Sequence, residues 1–546
     1  MPWPAVARSV DLERACAILV SGVRILCINP NREQMPWPVI PVGLCLVATA
    51  LDAAGHEVSF LDLTFERDPA RHVERAVRRH RPEMIALGIR NIDNCNFEDP
   101  VFFLPRIREE VVVPLRTCAP GAILVVGGAA VNVCPGEITD YLGADYAVVG
   151  EGEDALPALA RALESETDPS AIAGVLVRRK ARALPLSGPR RGEPPAGRAM
   201  NSEFVCGRWS RAYRWVELRR YVAMGTPYPI QTKRGCALEC SYCVYNEIEG
   251  RRYRLREPGD VADEIEDAVA HGVKQVEFVD STFNLPLSHA RALCSELERR
   301  SLPVELSTMG LNPAGVTDEL IFAMKRAGFS NLMCTPESAS ETTLASLQKG
   351  FGRKAIERTA RALRDAEVPT WWFFLIGAPG ETLDTVRETL AFCEEHIPPS
   401  HLVLFSTGIR VYPGTPLERH CRETGWFSPD ESLFEPSWYL SPSLDFDELY
   451  EVLVEAAVAH PNWMTNAEAV ISPTFAGLMK RGLRWAGLGG PFWQHLPRIF
   501  SLVTRLGARQ RGFASAYWEF CHAFGVYDPK AGAWRTDLLE ALIPNQ

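Results

Sequence analysis

No stretch of the 546 residues is apolar without interruption over the length needed to cross a bilayer. The first residues also lack the basic start, apolar core and small-residue cleavage site of a secretory signal. These absences predict a cytoplasmic protein and no membrane association. The 15 cysteines are spaced irregularly, which excludes a disulfide framework and leaves reduced thiols. Positive charge is not in surplus: a net charge of −10 argues against nucleic acid as a partner. No GxGxxG follows the first apolar run, so a dinucleotide fingerprint is missing as well. What is present is ordinary for a globular chain, with 47% hydrophobic and 23% charged residues. A single core stops growing well short of this length, so two to four domains are expected.

The first third alternates strands and helices. VRILCINP, EVSFLDL, EMIALGI, AILVVGG and DYAVVGEGE read as five strands, with helices and short turns between them. That order predicts an α/β, doubly wound parallel sheet, whose ligands sit outside the carboxyl ends of the strands. The informative loops are then 29–42, 62–64, 90–96, 127–135 and 150–153. After a connector rich in Pro, Arg and Gly (165–198), six strand–helix units run in series from Tyr228. They predict a partial (β/α) barrel. The distinctive polar residues fall at its strand ends: Asp280 and Asn284, Ser307, Glu337, the 377–381 turn, and Arg410 with Tyr412. Asp280 and Glu337 could instead cap the helices that follow them.

Between the first barrel strand and its helix stands TKRGCALECSYCVYNEIEGRRYRLR. It sets Cys236, Cys240 and Cys243 in a CxxxCxxC array with Tyr242 directly before the third cysteine. Three thiolates on one loop suit an iron–sulfur cluster, and three rather than four leave one iron open. The array resembles the signature of the radical S-adenosylmethionine (SAM) superfamily. The resemblance implies a [4Fe-4S] cluster on the three cysteines, with SAM chelating the open iron. It also implies that Tyr242 lies near adenine, that Glu337 (in TPES, where the family usually has GxE) contacts SAM, and that Gly377 and Pro379 of FLIGAPGET hold adenine by the backbone. Asp280 stands where a second-strand polar motif would be and is the candidate catalytic acid.

The first third resembles the cobalamin-binding domain that precedes many radical SAM domains. Gly127, Gly128, Gly150, Glu151 and Gly152, with Asp62, would line the cofactor; alternatively, these glycines only shape turns in a Rossmann-like domain. The DxHxxG motif for a histidine ligand to cobalt is missing, and His56 in AGHEV reads as structural. Arg90 and Asn91 of IRNIDNCN would instead face the metal, with Arg90 disfavouring a lower ligand and so assisting methyl transfer. A polar loop with several asparagines can equally be a satisfied turn.

The expected layout is an N-terminal extension (1–22), a Rossmann-like cobalamin-binding domain (23–185), a linker (186–227), a (β/α)6 radical SAM barrel (228–428) and a mostly helical closure region (429–546). Trp463, Trp485, Trp493 and Trp518 in the last region hint at an apolar substrate, although such a stripe also packs against a barrel. The family resemblance implies a C-methyltransferase of specialised metabolism using methylcobalamin and a 5′-deoxyadenosyl radical. Its substrate would be a small molecule or peptide, and its electron donor an external protein such as flavodoxin or ferredoxin. The alternatives are polar methylation of an aromatic carbon such as that of tryptophan, a non-methylating cyclase or ring-rearranging oxidase, and, from another class, an iron–sulfur redox protein.

Overall fold

Strand alternation builds two parallel sheets, each buried on at least one face by helices. The computed structural model describes residues 22–34, 37–98, 100–178, 209–460 and 462–465, with short pieces beyond. In the first sheet β1 (Arg24–Asn29), β2 (Glu57–Asp62), β3 (Met84–Gly88), β4 (Ile123–Gly127) and β5 (Tyr146–Val148) run parallel. The order is β2-β1-β3-β4-β5-β6. The strand order reverses between β1 and β3, which places the ligand crevice at their carboxyl ends. β6 (Val175–Val177), read from sequence as part of a connector, joins the edge antiparallel to β5. Two layers of apolar side chains cover the faces, one around Leu26, Ile28, Leu87 and Val126, the other around Ile25, Cys27, Ala86 and Val125. Adjacent residues feeding opposite cores are the signature of a strand buried on both sides.

The second sheet begins with β7 (Tyr228–Ile230), followed by a small ribbon of β8 (Lys233–Arg234) and β9 (Arg254–Leu255). β10 (Gln275–Phe278), β11 (Glu305–Leu311), β12 (Phe329–Glu337), β13 (Thr370–Ile376) and β14 (Leu402–Thr407) continue it. A second ribbon pairs β15 (Ile409–Arg410) with β16 (Trp438–Tyr439). After the helix Phe446–Ala459, β17 (Trp463–Thr465) pairs parallel to β14. The sheet therefore has seven strands, β17-β14-β13-β12-β11-β10-β7. A boundary at 428 would cut it, because the seventh strand comes from the region expected to be helical closure. Trp463 is accordingly a core residue, 5% exposed. Trp493 and Trp518 lie outside the described residues.

Alternation along these strands separates the two faces. Val276, Phe278, Leu306, Leu332, Trp372, Phe374 and Phe405 join the core beneath the helices. Glu277, Ser307, Met309, Met333, Trp371 and Phe373 therefore face the inside of the barrel. Of the tandem tryptophans, Trp372 goes to the helices, where its indole donates to His401 Nδ1 at 3.2 Å. Trp371 stacks on Phe373 at 5.1 Å on the inner face.

Candidate active site

The cysteine loop leaves β8 through Gly235, whose φ of +94° favours glycine. A Cβ there would lie 2.1 Å from the Arg252 carbonyl oxygen, so no side chain fits. The loop is fastened by backbone bonds: Cys236 N–H to Gly250 O at 2.9 Å, Ser241 N–H to Leu347 O at 2.9 Å and Leu417 N–H to Ser241 O at 2.8 Å. Burial raises the Cys240 thiol, with Lys349 pulling it back, and pushes Cys243 up to about 12. Uptake of iron by these thiols must therefore release protons. Among the described residues no three His, Cys, Asp or Glu side chains converge tightly enough to hold one ion. Three thiols on one tethered loop are the donor set that suits a polynuclear iron–sulfur cluster.

Beside them Tyr242, Glu337 and Lys349 form a triad. The Tyr242 hydroxyl donates to Glu337 Oε1 at 2.9 Å, and Lys349 Nζ lies 3.4 Å from the same oxygen and 3.3 Å from the hydroxyl. Glu337 has φ +69°, an uncommon conformation for a non-glycine residue, so the acid is held in a strained turn at the strand end. Burial acts to lower the Lys349 ammonium, but Glu337 and the two nearby cysteines hold it above its ordinary range. A carboxylate and an ammonium side by side suit the amino-acid end of SAM, which carries both charges. Sequence reasoning missed Lys349. It follows a short helix without any periodic signal, and only the fold brings it back to the cysteines.

Two expected residues have other employment. Asp280 is fully buried and spends both oxygens on the chain that precedes the cysteines. It accepts from Thr232 N–H at 2.7 Å, Thr232 Oγ1 at 2.6 Å and Lys233 Nζ at 3.1 Å. It anchors β8 and is not placed to act as a catalytic acid. At the 377–381 turn, the Gly377 and Ala378 amides donate to Glu381 Oε2 at 2.6 and 2.9 Å, and the Gly377 carbonyl accepts from Ser441 N–H. The donors expected for adenine are therefore turned inward. Pro379 brings no N–H of its own.

The first sheet shows the same division. Asp62 accepts from Asn29, Thr64 and Tyr221, the last at 2.7 Å, and so ties the connector to the sheet. Glu151 faces the barrel, pairing with Arg234 at 3.3 Å and Arg254 at 2.6 Å. The hydrogen bonds of Asp62 and the ion pairs of Glu151 thus occupy both acids expected from sequence to line the cofactor. Gly128 (φ +102°) and Gly150 (φ +99°) need their left-handed backbone, and Gly152 lets the helix Gly152–Glu164 pack on Val47. At Gly127 a Cβ would make only ordinary contact with Val148, at 3.8 Å.

The switch point is less committed, although Arg32 and Arg106 there pair with Glu110 and Glu33. Arg90 and Asn91 share a small cleft there with Asn31, Arg32, Phe103 and Arg106. Amide and guanidinium side chains are the right donors for a corrin, which is fringed by carboxamides and carries a phosphate on its tail. The residues present thus fit a cobalamin. His56 is buried before β2, at the opposite end of the sheet, and cannot reach this cleft.

Arg90 projects from the switch point toward the barrel. Its side chain reaches solvent, yet the surrounding protein desolvates the guanidinium enough to hold it below its ordinary range, countered by Tyr245, Cys95 and Glu277. Glu277 lies inside the barrel, 5% exposed, and burial pushes its carboxyl up to about 7 while Arg90 pulls it down. The two sheets are locked mouth to mouth by the rest of the 90–100 loop. Asp93 pairs with Arg410 at 2.8 Å, both side chains buried, and Cys95 meets the Tyr412 hydroxyl at 3.1 Å. Phe97 packs where a Cβ on Gly408 would stand 2.4 Å from its ring.

Known proteins share this arrangement. The Radical SAM superfamily model matches residues 230–393 and the B12 binding domain model residues 34–160. The chain is 27% identical over 442 residues to tryptophan 2-C-methyltransferase of Streptomyces laurentii, covering 71% of this chain and 73% of that one. It is 23% identical to cytidylyl-2-hydroxyethylphosphonate methyltransferase of Streptomyces wedmorensis, over 76% and 84% of the two chains. The structure of the radical SAM methyltransferase TsrM from Kitasatospora setae, with cobalamin and a [4Fe-4S] cluster bound, superposes with a TM-score of 0.75 at 26% identity, covering 89% of this chain and 99% of that one. A second structure of that enzyme, holding tryptophan and a SAM analogue, gives a TM-score of 0.72. Both domain models in this order, with a fold shared over 89% of the chain with a methyltransferase, identify a cobalamin-dependent radical SAM methyltransferase-like protein.

Proposed function

We propose that the chain methylates a carbon of a small aromatic substrate bearing a ring N–H, held inside the barrel between Glu277 and Arg90. When bound, the cluster, SAM and cobalamin supply the methyl group and its relay. The chain supplies the surroundings. Cys236, Cys240 and Cys243 would hold the cluster, Glu337, Lys349 and Tyr242 the amino-acid end of SAM, and Arg90, Asn91, Asn31 and Arg32 the corrin. Trp371 and Phe373 form an aromatic wall, and Met309, 43% exposed on the inner face, gives an adaptable apolar contact.

Glu277 is the observation that carries this reading. Among the described residues no donor reaches this buried carboxyl on the inner face of the barrel, and its proton affinity is matched to neutral pH. Such a group can take the proton of a ring N–H as the adjacent carbon becomes nucleophilic. Arg90 beside it stabilises the ionised carboxylate. The pair favours polar transfer to an aromatic carbon over abstraction of hydrogen from an unactivated one. The similar enzyme holding tryptophan supports the same substrate class. An external one-electron donor such as flavodoxin or ferredoxin belongs to the reading as the source of reducing equivalents.

The test uses anaerobically reconstituted protein with hydroxocobalamin, methyl-labelled SAM and tryptophan or other indoles. Labelled methyl on a ring carbon without stoichiometric 5′-deoxyadenosine is the expected result. One deoxyadenosine per methylated product would replace polar transfer by the radical route. Deoxyadenosine without methylation would overturn the reading.

A further inference from the structure

Among the described residues, the densest cluster of buried charge lies outside the substrate space, where the cysteine ribbon meets the first sheet. Resting on the reading that both cofactors bind as above, we infer that Glu151 and Glu153 are positioning residues that pin this ribbon to the cobalamin-side sheet and thereby set the separation of the two cofactor sites.

The ribbon pairs Arg234 of β8 directly with Arg254 of β9. Like charges opposite each other on a ribbon repel, and here both side chains are largely buried, 8% and 14% exposed. The compensating anions come from the other sheet. Glu151 bridges the two arginines, Oε2 to Arg234 at 3.3 Å and Oε1 to Arg254 at 2.6 Å. Glu153 Oε1 meets Arg234 Nη2 at 2.5 Å. The ribbon's own acid, Glu249, accepts from the Gly235 amide at 3.2 Å and adds a smaller pull on Arg234 than Glu151 and Glu153 do.

Neither side of this contact has slack. Gly235, next to Arg234, is wedged on the Arg252 carbonyl, and Gly152, between the two acids, is wedged on Val47. The turn carrying Glu151 is fixed in turn by Asn132, whose side-chain oxygen accepts from Gly150 N–H at 2.5 Å. Charge is not needed for stability at such a place, since apolar residues of equal volume often serve as well as a buried ion pair. Four converging charges do fix register, which an apolar contact does not. Register matters because a displacement of about 1 Å between reacting groups can cost on the order of a hundredfold in rate.

The experiment uses the full chain, reconstituted with cluster and cobalamin, as wild type, Glu151→Gln, Glu153→Gln, the double variant, Arg254→Lys and Arg254→Met. Iron and cobalamin contents are measured first. Pulsed dipolar EPR then reads the distance distribution between cob(II)alamin and the reduced cluster. Under titanium(III) citrate, the consumption of cob(I)alamin on adding SAM is followed as a function of SAM concentration. The inference expects wild-type cofactor contents and a broadened or shifted distance distribution in the double variant. It also expects a rate at saturating SAM lower by about tenfold, with half-saturation moved by less than about twofold. Arg254→Lys, which keeps the charge, retains the wild-type distribution. An unchanged distribution and rate in the double variant overturns the inference. If that variant takes up no cluster, Arg254→Met decides against Arg254→Lys: equal distributions overturn the inference, and broadening in Met alone supports it. A wild type that takes up no cobalamin overturns the functional reading, a failure seen in a different observable.

Discussion

The carboxyl ends of the two sheets face each other, yet they use their polar side chains differently. At the first sheet most are spent on the protein itself. Asp62 holds Tyr221 of the connector, Asp93 holds Arg410, and Glu151 and Glu153 hold Arg234 and Arg254. On the inner face of the barrel stand the buried Glu277, the partly exposed Met309 and the Trp371–Phe373 wall. The first sheet is therefore a platform bolted down by its loops, with only the switch point left for a cofactor. The inner face of the barrel carries the carboxyl and aromatic groups that we read as the substrate's surroundings.

The comparison breaks most severely at the cysteine loop. Cys236→Ala, Cys240→Ala or Cys243→Ala should each abolish cluster uptake and lower methyl transfer by about a thousandfold or more, measured by iron content and labelled-methyl incorporation. Glu277→Gln comes next, with a loss of about a hundredfold in kcat. In the wild type the rate should rise with pH through about 7, because the ionised carboxylate is the proton acceptor and burial sets its affinity there. In Glu277→Gln that rise should be missing. A variant that kept the full rate and the pH profile would return Glu277 to the passive wall.

The bolts should respond in stability rather than chemistry. Arg410→Ala leaves Asp93 buried and unpaired and should cost about 3–5 kcal/mol in chemical denaturation. Asp93→Leu with Arg410→Met should regain most of that, since an apolar pair of similar volume pays no desolvation cost. A gentler contrast is set by pH. Glu249, Glu277 and Glu381 are all raised by burial to about 7, against an ordinary 4.5. The folded state holds their protons more tightly, so their contribution is complete below the unfolded value and is lost as pH climbs through 7. The melting temperature of the cofactor-free protein should fall between pH 5.5 and 8, and Glu381→Gln should flatten part of that fall.

Much of this was legible in the chain. The cysteine spacing singled out the loop between the first barrel strands, and periodicity gave both sheets, because strands buried on both faces announce themselves as apolar runs between turns. Polar residues at strand ends were harder. Asp280 and Glu151 stood at the expected positions, but a carboxylate at a strand end can serve a ligand or the neighbouring backbone, and only the partner decides. Thr232 and Lys233 decide for Asp280, and Arg234 and Arg254 decide for Glu151. Glu277 and Lys349 escaped notice for the opposite reason. Glu277 lies within a strand whose inward face emerges only when the barrel curls, and Lys349 lies in an irregular segment that the fold carries back to the cysteines.

The seventh barrel strand has a consequence for how the protein is made. β14 is the outer strand until Trp463–Thr465 pairs with it through Val403–Phe405. During synthesis the barrel therefore waits, with a hydrophobic edge open to other chains, for some sixty residues beyond the end of β14. A fragment stopped at 428 would carry all three cysteines and the switch-point cleft, and would still be expected to aggregate through that edge.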